Sequence, residues 1–572
     1  MKNPEIAKFF YEIANILEMQ DVQFKPRAYR KAAMTIETWN KDVEKIYKEK
    51  GVNGLKELPG VGEAIAKKTA EILETGKLKY LEELRKDSPK ELLDIVSLYD
   101  IGAKTAYKIY KELGVNTVED LKKAAEEHKI KNIKGLGEKT EEKILEGIKK
   151  MKERKERMLL GVAYPVAVDV VEALKKSGGI EKISIAGSLR RKKETIGDID
   201  ILVVSSQPEK VMDNFVSLEN VKKILVKGKT KTSVMIGDIH TDLRVVSKES
   251  FGSALQYFTG SKEHNIKIRK IASDKGMKIS EYGVFERKTN KRLAGETEEE
   301  VYKVLSMQYI EPELREDRGE IEEAMKNKLP KLIDGKDIKG DFHVHSKWSD
   351  GANTIEEMVR AGIKKGYSFI AVTDHSKSLK VAKGLKENDI LEQISEIKNL
   401  SKKYPGFKIF TGSEVDIKGN GELDFDDSIL KKLDVVIAGV HSKFSMDEKT
   451  MTERTITAME NKNVDIIAHP TGRVIGKREA YKLNMEKILD AASKNKTYLE
   501  INALPDRLDL NDIYIKMAKE KNVKLCINTD AHNLSHFDMM RYGVFNARRG
   551  WLTKNDVLNT FSADEIIHFF AK

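Results

Sequence analysis

One cysteine, Cys526, stands in 572 residues, so no intramolecular disulfide can form and a reducing interior is expected. Proline is scarce at 11 residues, and with 40% hydrophobic residues the chain is too apolar and too periodic for a disordered tail. Long apolar runs are missing. The longest uncharged one, Met158 to Val168, is about half of the ~20 residues that a membrane span needs. The first residues, MKNPEIAKFFYEIANILEMQD, carry acids where a signal peptide needs an apolar core. A cytoplasmic protein with no membrane partner is expected. What is abundant is charge, 34% of all residues, with a formal net charge of +11.

The charge is uneven. Residues 1–335 carry 65 Lys+Arg against 57 Asp+Glu, while 336–572 carry 38 against 35. A basic surface in the first three-fifths suits a phosphate backbone. Histidine runs the other way, with eight of the 11 after residue 340. Six of those eight sit in short, polar-ended apolar runs, a clustering that points to metal.

At this length about three to five domains are expected. Up to residue 155, apolar residues recur at three and four, as in Ile6, Phe9, Phe10, Ile13, Ile16 and Leu17, which predicts helix after helix. From about residue 180 short β-branched runs take over (ISIAG, DIDILVVS, SVMIGD), and beyond 340 apolar strands alternate with amphipathic helices. Periodicity is lost around Pro330 and Gly335, which reads as a linker.

Within the helical region a single unit recurs, a short helix, a glycine turn and a second helix: LPGVGEAIAKKTAEIL, YDIGAKTAYKIY and IKGLGEKTEEKIL. Gly60 and Gly62 mark the first turn, Gly102 the second, Gly135 and Gly137 the third. Glycine permits positive φ and close approach of a phosphate, and the following helix offers it unpaired N–H groups. This resembles the helix-hairpin-helix, which holds DNA backbone without reading sequence. In the second copy Asp100 replaces the first glycine, which weakens that phosphate contact.

Residues 187–204, GSLRRKKETIGDIDILVV, place Asp198 and Asp200 two apart on a strand and so on one face. Adjacent acids stay ionised only with a cation between them. A third acid, Asp242, stands in HTDLRVV on a later strand. Three carboxylates suit two Mg2+, the clamp for in-line phosphoryl transfer. Gly187 and Ser188 form a turn able to bind phosphate. Taken alone, this specifies nucleotidyl transfer and leaves the substrate open.

YFTGSKEHN, Tyr257 to Asn265, narrows it. With LPGVG, GSLRR, GDIDIL, DLR, YFTGS and EYGVF in this order, residues 1–320 resemble the family X DNA polymerases, the DNA polymerase beta group. The resemblance implies dNTP substrates and gapped or primed double-stranded DNA. It implies metal ligands in Asp198, Asp200 and Asp242, with Asp242 activating the primer 3′-hydroxyl. Ser188, Arg191, Gly197 and Gly260 would face the nucleotide, Tyr257 and Phe258 its sugar, Asn265 the minor-groove edge, and Arg269 the template. His240 departs from the family, whose vertebrate members have arginine there. Lys68 occupies the Schiff-base position of lyase-active relatives; simple phosphate contact, shared with Lys25, is the other reading.

Beyond 340, potential ligands end each apolar run: His343 and His345, His375, Glu414, His441, His469, Glu500 and Asn502, then Asp530 and His532, with Asp350 in the first loop. Strands ending this way predict a parallel barrel with its site at the C-terminal rim. Six imidazoles and three carboxylates (Asp350, Glu414, Asp530) are enough for about three ions, and without thiolate they favour Mn2+ or Zn2+. HVH, TDH, SEVDI, GVHS, AHP and TDAH resemble the PHP (polymerase and histidinol phosphatase) family.

Together these resemblances imply a multidomain chain. All-α helix-hairpin-helix domains come first, a lyase-like one at 1–85 and a fingers-like one at 86–155. An α+β nucleotidyltransferase palm at 156–265 follows, then a thumb at 266–321, a linker at 322–339 and a distorted (β/α)7 PHP barrel at 340–572. The expected function is short-gap filling in base excision repair by a monomer. A metal-dependent 3′→5′ exonuclease would reside in the barrel, with AP endonuclease or lyase activity as an extension. The competing reading is a PHP phosphoesterase that uses its N-terminal half only as a DNA clamp; the Asp triad argues against it.

Overall fold

The computed structural model describes residues 3–570 apart from 21, 23–24, 39–42, 59, 87–102, 116 and 156. They form two compact units, Met1–Glu156 and Arg157–Lys572.

The first unit is helical. In helix Asn3–Met19 the side chains of Ile6, Phe10, Ile13 and Leu17 are at most 3% exposed, so the three-and-four spacing is the buried stripe. It packs on helix Lys25–Thr38. Helix Glu63–Thr75 follows the LPGVG turn, and helix Glu138–Lys155 follows the IKGLG turn. The two turns are built alike. Gly60 and Gly135 take φ of +79° and +83°, which glycine alone adopts cheaply. One residue on, the Val61 and Leu136 N–H groups donate back to Leu58 O at 3.0 Å and Ile133 O at 2.9 Å. Gly102, in the middle copy, lies outside the described residues; its helix is Ala103–Leu113.

The second unit opens with a five-stranded sheet. Its spatial order is Lys182–Ile185, Ile199–Val204, Ile239–Val246, Lys231–Ile236, Val221–Lys227. Only the Ile199–Val204 and Ile239–Val246 pair is parallel. Helices Leu160–Lys176 and Pro208–Val216 bury Leu160, Ala167, Val211 and Phe215 in a core with Ile199, Ile201 and Val203. Helices Phe251–Thr259 and Lys262–Asp274 lead to a three-stranded antiparallel sheet and helix Glu298–Val304.

Residues 322–339 are not the expected linker throughout. Helix Glu320–Met325 enters the segment, and Ile333 and Ile338 are buried in the barrel core. The Ile333 N–H donates to Leu552 O at 2.9 Å. Burial of these two isoleucines outweighs the turn signals of Pro330 and Gly335.

Seven parallel strands follow in consecutive order, from Gly340–Val344 to Leu525–Asn528. The His345 N–H donates to Ala531 O at 2.9 Å and the Ala531 N–H to His343 O at 3.1 Å, which links the first strand to the end of the last. The strands are apolar on both faces, as parallel strands under helices must be. Among the described residues no helix is long and apolar enough to cross a membrane.

A buried ion pair joins the five-stranded sheet region to the one after it. Glu298, 4% exposed, accepts from Arg190 Nη1 at 2.9 Å, from Arg315 Nη1 and from Tyr309 Oη. Its carboxyl is held down at about 2: burial raises it, but Arg315 and Arg190 outweigh burial. Glu298→Ala leaves two guanidinium groups without their acid and should cost about 3–5 kcal/mol in denaturant unfolding. A folded-state value below the ordinary 4.5 means that this stability is present above about 4.5 and lost as pH falls toward 2.

Candidate functional site

Asp200 lies on strand Ile199–Val204, directly opposite Asp242 in the parallel register, and Asp198 immediately precedes that strand. The fold thus assembles the three acids that the sequence separates by up to 44 positions. The cost of doing so is visible in Asp200. Burial first, then the charges of Asp198 and Asp242, push its carboxyl up to about 7. Three mutually repelling carboxylates are a fitting donor set for hard divalent cations.

Asp242 has the opposite shift. Burial raises its carboxyl, but hydrogen bonds from Ser233 and Lys231 outweigh burial and hold it below the usual value. Ser233 Oγ donates at 2.5 Å, Lys231 Nζ lies 3.0 Å away, and His240 Nε2 and Arg244 Nη2 both lie at 3.5 Å. His240 therefore joins a small basic ring around this acid.

The Gly187–Arg190 turn lies against the triad. At Gly187 (φ +65°) a Cβ would stand 2.5 Å from Asp200 Oδ2, so only glycine brings Ser188 this close. Arg191 donates through Nη1 to Thr259 O and through Nε to Glu316 at 3.0 Å. Tyr257 and Phe258 sit near the end of helix Phe251–Thr259, edge to face at 5.1 Å, with Arg244 over the Phe258 ring. Gly260 caps that helix, with Arg191 Nη1 3.0 Å from its Cβ position. Asn265 differs from expectation: it is 8% exposed and turned inward, accepting from Gln256 and donating to Tyr257 O, both at 2.7 Å. These two bonds leave one amide N–H and one lone pair for a further partner. Arg269 is exposed and reaches back to Asn265 O.

At the barrel rim the nine residues converge. Eight of them fall into three groups able to hold an ion: His345, Asp350, His375 and His532; His343, His345 and Asp530; His375, Glu414 and His441. His345 and His375 are each shared by two groups. His469 stands beside them, with Nε2 3.0 Å from Glu414 Oε1. Glu414 is the hub, also 2.8 Å from His375 Nδ1 and 3.0 Å from His441 Nε2. His343 Nε2, His345 Nδ1, His375 Nδ1 and His469 Nδ1 are buried without a hydrogen-bond partner. Buried ring nitrogens left without a hydrogen bond, in a group that also holds Asp350, Glu414 and Asp530, fit a metal cluster better than a proton network. His469 and Asp530 adopt φ of +27° and +50°, strain of the kind stored at functional sites.

In the first unit, Gly62 caps helix Glu63–Thr75 and is exposed, as is Gly137 before helix Glu138–Lys155. Lys67 is tied to Glu63 at 2.9 Å, whereas the Lys68 ammonium lies over the Tyr80 ring at 4.8 Å; Lys25 is exposed.

Known proteins resemble each of these regions. Residues 1–78 match a helix-hairpin-helix domain, and 52–113 and 93–150 a SAM-like helix-hairpin-helix tandem. Residues 254–316 match the DNA polymerase beta thumb, and 341–504 the PHP domain. A curated relative, "DNA polymerase/3'-5' exonuclease PolX" of Bacillus subtilis (strain 168), is 40% identical over 576 residues, covering 100% of both chains. The chain belongs to the PolX family. The barrel alone also resembles "Probable phosphatase" proteins. That of Thermoanaerobacter sp. (strain X514) is 34% identical over 233 residues, 38% of this chain and 89% of its own length.

PolX membership accounts for the motifs but not for the residues that hold them. Glu500 Oε1 bonds His343 Nδ1 at 2.7 Å and Glu500 Oε2 accepts from the His469 N–H at 2.7 Å. Asp416 lies 3.2 Å from His441 Nδ1. Such partners fix which ring nitrogen faces the cluster. Asp374 accepts from the Ser346 and Ser349 backbone and from Gln393, and so shapes the loop that carries Asp350. Glu500 stands at a strand end in the sequence; Asp374 and Asp416 are hidden inside the TDH and SEVDI motifs beside stronger candidates.

Proposed function

We propose that this PolX member is a DNA-directed DNA polymerase filling short gaps in DNA repair, and that its PHP barrel is a metal-dependent 3′→5′ exonuclease. The observation that carries the polymerase half is the register of Asp200 against Asp242 beside a region matching the DNA polymerase beta thumb. Asp198, Asp200 and Asp242 would hold two Mg2+, which supply charge neutralisation for attack on a nucleotide's α-phosphorus. Asp242, kept ionised by its basic ring, would orient the primer 3′-hydroxyl. Ser188, Arg191, Gly197 and Gly260 would hold the nucleotide, with Tyr257 and Phe258 against its sugar. Asn265, held by Gln256 and Tyr257 O, would offer its remaining amide N–H or lone pair to the minor-groove edge. At the rim, the nine ligands would hold about three Mn2+ or Zn2+, while Glu500 and Asp416 keep the imidazoles oriented. The deciding experiment is primer extension on gapped DNA run beside 3′-end degradation on the same substrate. Absence of nucleotide addition would overturn the polymerase reading.

The helical unit would grip the 5′-phosphate side of the gap through the Gly60–Gly62 and Gly135–Gly137 turns and Lys25. Each phosphate contact releases counterions, so log K should fall by about 0.9 per contact against log salt. Lys68, whose ammonium lies over the Tyr80 ring, would meet a phosphate or an aldehyde. Borohydride trapping on an incised abasic site separates the two. A trapped adduct that disappears in Lys68→Ala supports lyase chemistry; no adduct in the unaltered protein leaves Lys68 a phosphate contact.

A further inference from the structure

A cavity of about 420 Å³ lies between the turn carrying Ser188 and Arg191 and the loops of the PHP barrel. Its wall holds six cations, Arg157, Arg191, Lys193, Arg318, Arg473 and Arg549, against two acids, Glu194 and Asp512. Three of the cations pair closely with acids of the fold, Arg191 among them. Arg549 bridges Glu316 at 3.0 Å and Asp512 at 2.6 Å, Arg318 pairs with Asp512 at 2.9 Å, and Arg191 shares Glu316. Of the other three, Arg157 and Lys193 have no acid in close contact, and Arg473 has one that is partly exposed. Arg157 bonds the Thr195 hydroxyl and carbonyl rather than an acid. Lys193 stands 3.9 Å from Glu316. Arg473 has one carboxylate, Glu194, at 2.7 Å, and that glutamate is itself 37% exposed.

The cavity adjoins the palm acids at two points. Ser188 follows Gly187, whose Cβ position touches Asp200. Arg157 Nη1 lies 3.3 Å from the Cβ position of Gly197, which precedes Asp198. Ser188 and Arg157 thus lie both on the cavity wall and beside residues that flank the palm acids. A cavity of this size has room for a short polyphosphate.

We infer that the barrel completes the polymerase's nucleotide site, with Arg473 binding the terminal phosphates of the incoming dNTP and the pyrophosphate that leaves. This rests on the palm being the site of nucleotide transfer. Arg473 is anchored for the task, since its Nε donates to Arg507 O at 2.9 Å and its Nη2 to Leu508 O. Glu194 then acts as a competitor that holds the guanidinium until phosphate displaces it.

The test compares unaltered protein with Arg473→Ala, Arg473→Lys and Glu194→Gln, all full length. KM for dNTP, KM for primed DNA and kcat are measured, together with calorimetric binding of inorganic tripolyphosphate in the absence of DNA. Loss of a charge-assisted contact should raise the dNTP KM about tenfold or more in Arg473→Ala, with partial rescue by lysine and an unchanged KM for DNA. Glu194→Gln should lower the dNTP KM by up to about fivefold, because it frees the guanidinium. A purely structural Arg473 predicts the opposite sign for Glu194→Gln, since breaking its ion pair would loosen the same loop. A dNTP KM in Arg473→Ala within twofold of the unaltered protein, or a raised KM in Glu194→Gln, overturns the inference. Tripolyphosphate binding needs no catalysis, so loss of affinity in Arg473→Ala supports the site even if primer extension fails. Equal affinity sinks it without touching the polymerase reading.

Discussion

Replacing Asp198 and Asp200 together by alanine should reduce nucleotide addition by about a thousandfold or more while 3′-end degradation continues. The magnitude follows from losing several kcal/mol of charge stabilisation at the reacting phosphate, each 1.36 kcal/mol being a factor of ten. The selectivity follows from the fold. Asp200 lies in the five-stranded sheet and Asp198 just before its strand, and the nine rim residues belong to a separate seven-stranded barrel with its own orienting groups. His343→Ala should do the reverse, removing degradation and sparing addition, because His343 is fully buried between Glu414, Asp530 and Glu500. The palm variant should also remain folded. Asp200 is a repelled, partly desolvated carboxylate pushed up to about 7, so its removal relieves strain rather than breaking a bond network. Extension and degradation measured on one labelled primer decide the matter. A folded Asp double variant without nuclease activity would contradict two separate sites.

What the sequence reveals and what it conceals divide along a physical line. Residues whose chemistry is expressed at fixed local spacing are legible: the glycines of the two described hairpin turns, the alternate acids of the palm strand, and the histidines at successive strand ends. Each is dictated by a backbone period or by a turn that tolerates little else. Groups that act across long sequence separations are not. Lys231 reads as ordinary surface charge until the antiparallel register of its strand brings it beside Asp242. The Glu316, Arg549 and Asp512 network joins residues more than 30 positions apart, and composition gives no hint of it. The expected linker fails for a similar reason, since the value of Ile333 and Ile338 depends on a barrel core built mostly from residues after them. The motif around Asn265 tells what its amide can reach; its position next to Gln256 and Tyr257 O decides what it does reach here.

Chelation followed by Mg2+ alone should restore nucleotide addition but little nuclease, and Mn2+ should then recover the nuclease. The argument is in the donor sets. The palm offers three carboxylates, the oxygen ligands that Mg2+ prefers. The rim offers six imidazoles among nine candidate ligands, and four of its buried ring nitrogens have no hydrogen-bond partner. Imidazole suits Zn2+, and a set that mixes imidazole with carboxylate also accepts Mn2+, whereas Mg2+ parts reluctantly with water and is held poorly by imidazole. Asp530 sharpens the test. Burial raises its carboxyl, yet His343, His345 and His532 hold it far below the usual range, so it is an anion committed to the cluster. Asp530→Asn keeps its size and removes that charge. It also leaves His345 Nε2, now 3.1 Å from Oδ1, without its carboxylate. Nuclease activity in this variant should fall by tenfold to a hundredfold even in saturating Mn2+, the usual consequence of weakening a metal site. Full recovery with Mg2+ alone, or an unaltered rate in Asp530→Asn, would remove the case for an imidazole-rich cluster as the nuclease centre.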